Sequence, residues 1–269
     1  MSDVVRLEYR NVTMRFAQAS GDVLTAIRGV SFSVRDSEVV SLIGPSGCGK
    51  STLLSIGSGL TQSSEGETFV DGVRVEGPSS HVAFMLQKDL LLPWRDIAAN
   101  VMFGLEIQGT PLAERWRRAQ ALLANFRLEE FSGHYPHQLS GGMRQRVALA
   151  RTLAVDPHVL LLDEPFSAVD AQTRMVLQRD LAQTLKRERK TALLITHDLL
   201  EAVLLSDRVL VMSRRPGRII DEITIDLPDR DDPIARRKNA KINDYVGHLM
   251  DRLDLGHAGL EDSVAPGRA

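Results

Sequence analysis

Residues 39–51 read VVSLIGPSGCGKS. The first five form a short, mostly apolar run of the kind that a strand buried on both faces requires. The run opens directly into Gly44, Pro45, Ser46, Gly47, Cys48, Gly49, Lys50 and Ser51, which match the phosphate-binding pattern G-x-x-x-x-G-K-[ST]. Glycines let such a loop curl until its N–H groups converge on one anion-sized nest. Residues 52–56, starting at Thr52, read as a helix whose positive end adds to that nest. Lys50 has the reach for the outer phosphates of a nucleotide, and the Ser51 hydroxyl can ligate Mg2+. Cys48 stands at a variable position of the pattern, which argues against a redox role. By itself the loop says only that a nucleoside triphosphate binds, which covers kinases, GTPases and motors.

Working outward, VLLLDEP at 159–165 is a second buried strand, and it ends in two carboxylates. Asp163 at its C-terminal edge is placed to hold Mg2+, and Glu164 to polarise an attacking water. HVAFMLQ (81–87) and ALLIT (192–196) read as further strands. Val5, Leu7 and Tyr9, then Val30, Phe32 and Val34, alternate as strands with one buried face. Asp71-Gly72, inside FVDGVRV, marks a hairpin. Strands alternating with helical patterns predict an α/β core with a largely parallel sheet. Between about 89 and 154 the pattern turns helical, with Leu112, Trp116, Ala119, Leu122, Leu123 and Phe126 at helical spacing. The charged stretch 229–241 reads as a link or cap. Residues 242–253 form an amphipathic helix that either packs on its own domain or takes a partner. The last dozen residues read as a frayed end.

Composition excludes several classes. The chain has 269 residues, a formal charge of −2, 43% apolar and 25% charged residues, and one cysteine. That is an ordinary globular mix, long enough for a sizeable core. The balance of charge argues against bulk electrostatic binding of nucleic acid. One cysteine permits no intrachain disulfide, and the opening MSDVVRLEYR has no apolar signal core. No run approaches the roughly 18 apolar residues of a membrane span. The expectation is a soluble, cytoplasmic chain. The cluster Lys186, Arg187, Arg189 and Lys190 reads as a helix end complementing the helix dipole.

Leu139-Ser140-Gly141-Gly142-Met143-Arg144-Gln145-Arg146 places two glycines before an amphipathic helix, a second set of N–H groups aimed at an anion. This segment resembles the signature motif of the ATP-binding-cassette (ABC) ATPase family. The resemblance covers roughly residues 4 to 226. It implies a P-loop NTPase (RecA-like) α/β core with an N-terminal antiparallel β subdomain and a helical subdomain inserted at about 89–154. It further implies an ATPase domain over 1–230, followed by a tail, 231–269, that carries helix 242–253.

Carried over residue by residue, Gln87 matches the family's glutamine at Mg2+ and the attacking water. Ser167-Ala168-Val169-Asp170 matches its D-loop, with valine where leucine is more common and Asp170 retained. His197 matches the histidine that contacts the γ-phosphate. Phe16 fits the aromatic on which adenine stacks, although tyrosine is commoner there; its other reading is core. Leu91-Leu92-Pro93-Trp94, Asn100-Val101 and Gly104-Leu105 are similar to the nitrate, sulfonate and taurine import branch, where this segment docks on the membrane partner. The other reading of Trp94 and the leucines is local core. Ser58 departs from an alanine common in that branch.

One loop and one signature imply a homodimer with two equivalent sites. ATP would bind residues 44–52 of one chain and Ser140, Gly141 and Gly142 of the other. The resemblance also implies transmembrane permease subunits, an indirect solute-binding protein, no nucleic acid, and a peripheral place at the cytoplasmic membrane face. Two other classes stay open: an ABC ATPase acting on nucleic acid, which usually carries coiled coils or paired cassettes, and a P-loop kinase, which needs no signature.

Overall fold

The computed structural model describes residues 4–19, 21–167 and 169–253. In chain order the strands are β1 (Val5–Ala17), β2 (Val23–Arg35), β3 (Val39–Ile43), β4 (Glu65–Val70), β5 (Val73–Arg74), β6 (Val82–Met85), β7 (Val159–Asp163), β8 (Thr191–Ile195), β9 (Arg208–Met212) and β10 (Ile219–Thr224). The helices are α1 (Lys50–Gly57), α2 (Ile97–Ile107), α3 (Leu112–Asn125), α4 (Gly141–Ala154), α5 (Ala171–Arg187), α6 (Leu199–Leu205), α7 (Pro233–Arg236) and α8 (Ile242–Arg252).

The strands form two sheets. One is antiparallel, in the order β2-β1-β4-β5, and the other is a six-stranded sheet in the order β10-β9-β3-β8-β7-β6. In the second, β9, β3, β8, β7 and β6 run parallel and β10 closes one edge antiparallel. The alternating strand–helix pattern is therefore an α/β core, and the alternating N-terminal strands are the antiparallel sheet. Asp71 (φ 51°) and Gly72 (φ 75°) both adopt the left-handed conformation between β4 and β5, as a two-residue hairpin turn demands.

The continuous apolar strands are explained by what covers each face. Leu160, Leu162, Ala192 and Leu194 pack into one cluster with α2, α3, α4 and α5. Val159, Leu161, Leu193 and Ile195 turn the other way, onto α1 and the antiparallel sheet. Every residue of β3, β7, β8 and β9 is buried. Tyr9 ties the antiparallel sheet to α1: its buried hydroxyl donates to the Leu53 carbonyl at 2.8 Å.

Helix α8 covers the 242–252 part of the amphipathic stretch. Its Ile242 and Leu249 join Ala202, Val203 and Leu204 of α6 in a third cluster, so it packs on its own chain. The charged stretch before it is more than a link. It contains α7, and Arg236 at its end is 1% exposed. The guanidinium donates to the carbonyls of Leu204 and Ser206 at 3.0 Å each and of Leu227 at 3.2 Å, closing the C-terminal end of α6. The basic cluster at the end of α5 is paired: Lys186 with Asp231, Lys190 with Asp156, Arg189 with Asp36 and Arg187 with Glu188. No helix among the described residues is long and apolar enough to cross a membrane. Ala168 and the end of the chain from residue 254 lie outside the described residues.

Candidate nucleotide site

Parallel strands deliver their following loops to one edge of a sheet, and ligands bind in the crevice beyond those C-terminal ends. Here a cleft of about 410 Å³ lies there, lined by Phe16, Leu24, Ala26, Ser46, Gly47, Gly49, Lys50, Ser51, Thr52, Gln87, Glu164 and Arg215. Loops from β3, β6, β7 and β9 converge on it with one residue of β1 and two of β2.

The loop after β3 is held in a form that glycine alone takes without strain. Gly47 (φ 73°) and Gly49 (φ 107°) are left-handed, and a side chain on Gly49 would run into Ile27. Lys50 is 9% exposed. Its Nζ donates back to the carbonyls of Gly44 at 2.7 Å and Pro45 at 3.1 Å. The ammonium thus stands inside the loop that would receive phosphate oxygens. Cys48 is buried, with Sγ 3.9 Å from Lys50 Nζ, and it packs in the core beside Met212.

Asp163 ends β7 and is buried. Burial pushes its carboxyl up, with the Glu164 charge adding to the rise, while Ser51 and Lys50 pull it down. The Ser51 hydroxyl, which lines the cleft, and the Asp163 carboxylate behind it are hard oxygen donors, and such donors suit Mg2+. Glu164 is left-handed (φ 46°), which aims it away from Asp163. Its Oε2 accepts from Gln87 Nε2 at 3.0 Å and lies 3.2 Å from His197 Nδ1. One carboxylate oxygen therefore joins three residues from three strand ends. A carboxylate held by an amide and an imidazole is oriented for proton transfer.

Phe16 is 41% exposed and lines the cleft, so its ring is not core. Ser140 and Asp170 stand elsewhere, outside the lining of this cleft. Ser140 caps α4, its hydroxyl accepting from the Met143 N–H at 3.3 Å; Gly141 and Gly142 form the first turn. Asp170 caps α5, accepting from the N–H groups of Gln172 and Thr173 at 3.1 and 3.0 Å, and these bonds hold its carboxyl below the usual range.

Three lining residues escaped the sequence reading: Leu24, Ala26 and Arg215. Arg215 clamps the loop, its Nε and Nη2 both donating to the Gly47 carbonyl at 3.0 and 2.7 Å. The only local signal is an arginine three residues past β9. Its partner lies 168 residues away, and nothing short-range couples them.

The 87–96 segment is a second feature. Asn100, fully buried, donates to the carbonyls of Leu92, Arg95 and Asp96 and accepts from the Leu92 N–H. Arg151 of α4 donates to the carbonyls of Asp89 and Leu90, and Arg144 pairs with Asp89. Leu91 is core, whereas Trp94 stands 73% exposed on this braced loop. The core reading of this segment therefore holds for Leu91 and not for Trp94.

Residues 27–167 match the family described as ABC transporter. A taurine import ATP-binding protein, TauB, of Rhizobium johnstonii is 39% identical over 247 residues, 92% of this chain and 94% of the relative. TauB of Roseobacter denitrificans is 41% identical over 223 residues, 83% of each. Among solved structures, the dimeric ATP-binding cassette MJ0796 bound to ADP and Pi is 30% identical with a TM-score of 0.74. The match covers 81% of this chain and 98% of that one.

Proposed function

This chain belongs to the ABC transporter family as an ATP-binding, ATP-hydrolysing subunit, and from that premise we propose that it powers import of a small solute of the taurine, sulfonate or nitrate type through separate membrane subunits. The observation that carries the import reading is the pair of taurine import relatives, similar over at least 83% of both chains. The braced loop with exposed Trp94 supports it, because a rigidly held aromatic is an effective anchor for a partner. Arg144 and Arg151 link that loop to the helix that begins with the signature, a mechanical path between permease and nucleotide.

In the proposed mechanism two copies face each other, and the nucleotide is sandwiched between residues 44–52 of one and Ser140, Gly141 and Gly142 of the other. Ser140 standing outside its own chain's cleft fits that arrangement. Phe16 stacks on the base. The loop N–H groups and Lys50 hold the phosphates, Lys50 exchanging its carbonyl partners for phosphate oxygens. Ser51, Asp163 and Gln87 would hold Mg2+, which when bound neutralises charge on the outer phosphates. Glu164 takes a proton from water as its oxygen attacks the γ-phosphorus and ADP leaves, and His197 orients the γ-phosphate and Glu164 together. Asp170 caps α5 at the face between copies. Loss of the γ-phosphate frees the two chains, and the cycle moves the membrane partner. The subunit would sit peripherally at the cytoplasmic face, with the solute-binding protein acting only through the permease.

The test is affinity capture from detergent-solubilised membranes of the source cells. Recovery of a multi-span permease that is lost with Trp94→Ala is the expected result. Recovery of nucleic acid in its place would overturn the import reading.

A further inference from the structure

At the end of the parallel sheet opposite the cleft, three segments bring Asp71, His81 and His158 together. Asp71 belongs to the β4–β5 turn, and the two histidines immediately precede β6 and β7. Both imidazoles aim Nδ1 at the same carboxylate oxygen, Asp71 Oδ2: His81 at 2.8 Å and His158 at 2.6 Å. The three atoms all lie within 4.8 Å of one another. We propose that Asp71, His81 and His158 form a binding site for a divalent first-row transition-metal ion of the zinc type.

The donor set is two neutral imidazoles and one carboxylate, the mixture that zinc and its neighbours prefer and that Mg2+ and Ca2+ do not. The scaffold is rigid. The N–H groups of His158 and Val159 both donate to the His81 carbonyl, at 2.9 and 3.0 Å, so the histidines move as one unit. Asp71 is fixed by its tight turn and by its N–H donating to the Arg6 carbonyl at 2.9 Å. A tetrahedral ion with bonds near 2.05 Å needs ligand atoms about 3.3 Å apart. From the present hydrogen-bonded spacing, small side-chain rotations supply that.

The carboxylate is held from outside the site. Arg6 Nη1 pins the other oxygen, Oδ1, at 2.8 Å, and shares its charge with Asp36 through Nε at 2.7 Å. This is the kind of outer partner that orients a ligating carboxylate. Both histidines are half exposed, which gives an ion its path in and water its remaining coordination positions. The bound ion would join the antiparallel sheet to the parallel one.

The test uses the full-length chain without an affinity tag, nucleotide-free and in excess Mg2+ so that oxygen-only sites are filled. Co2+ is titrated and followed by its visible absorption, with Zn2+ as competitor. One Co2+ per chain, displaced by Zn2+, with a thermal midpoint that rises with metal, is expected. His81→Gln and His158→Gln keep an N–H that can donate to Asp71 but remove the imidazole. Each should weaken Co2+ by more than the roughly 10- to 100-fold that loss of an outer-shell partner costs, while the metal-free midpoint and the ATPase rate hold. Absence of saturable binding below millimolar Co2+, or equal affinity in the double variant, overturns the site and leaves only a hydrogen-bonded triad.

Discussion

Lys50 and Arg236 are both nearly buried cations, and both rest on backbone carbonyls. Lys50 donates to Gly44 and Pro45, and Arg236 to Leu204, Ser206 and Leu227. Their settings differ. Lys50 lines an open cleft, where a phosphate can take the place of the carbonyls. Arg236 is sealed under α6, α7 and the 225–227 segment, where no ligand can replace its partners. Burial pulls Arg236 down to about 10, with Asp207 acting against the fall. Bonds from a buried cation to backbone carbonyls can be exchanged for a ligand where the cavity is open, as at Lys50, and stay fixed where it is closed, as at Arg236.

Substitutions should therefore separate the two regions. The largest effect belongs to the cleft. Under the proposed role, Glu164→Gln keeps ATP binding and lowers turnover by about 10²–10⁴, the range for a positioned general base. A steady-state phosphate-release assay with near-normal turnover would remove Glu164 from that role. Next comes the sealed site. Arg236→Ala leaves carbonyls unpaired in a closed space and should cost about 3 kcal/mol of stability, with turnover per folded molecule unchanged. Urea unfolding measures the first, and a loss of activity in the folded fraction would show that the tail is not merely structural.

Glu201 tests the boundary between the regions, since it opens α6 four residues after His197. Its buried carboxylate accepts from Gln178 Nε2 at 3.0 Å. Burial is the main cause of a rise from 4.5 to about 7, with Asp198 adding and Thr196 and Gln178 opposing. Above pH 4.5 the unfolded chain releases this proton before the folded one does. The folded state then binds more protons, so stability falls as pH climbs to about 7 and levels off beyond. Glu201→Gln should remove that slope, a relative gain on the order of 2 kcal/mol at pH 8 against pH 4. Chemical denaturation at the two values checks it; parallel pH profiles for both proteins contradict it. The smallest effect returns to the starting pair: Lys50→Ala should change stability by about 1 kcal/mol or less, because Lys50 lines an open cleft that water can enter in its place. Calorimetry that finds a loss as large as for Arg236→Ala would break the distinction.

Much of this site is legible in the chain because its parts are contiguous. Residues 39–51 carry strand, loop and helix start in one stretch, and VLLLDE carries strand and carboxylates in another. Short-range sterics and burial periodicity act over such lengths, and β3, β7 and β8 match their predicted apolar runs to within a residue. The boundary at Gln87 was less sharp: β6 ends at Met85, so Gln87 is in the loop, where it can turn to Glu164. The charged stretch 229–241 reads as a link or cap, and Arg236 makes it a cap on α6; charge pattern alone cannot foresee that four carbonyls gather around that one guanidinium.

The sequence by itself determined the α/β class, the nucleotide loop and the identity of the residues that could do chemistry, because each of these rests on neighbours along the chain. Only the tertiary structure decided which of them meet. Glu164 oxygen bridging Gln87 and His197, Arg215 clamping Gly47, Trp94 exposed beside buried Leu91, and Asp71 between two histidines all depend on strand order and on which loops share a sheet edge. The side-chain contacts among them span from 10 to 168 residues. Their partners are chosen by the packing of whole strands, whose free energy no single segment of the chain contains.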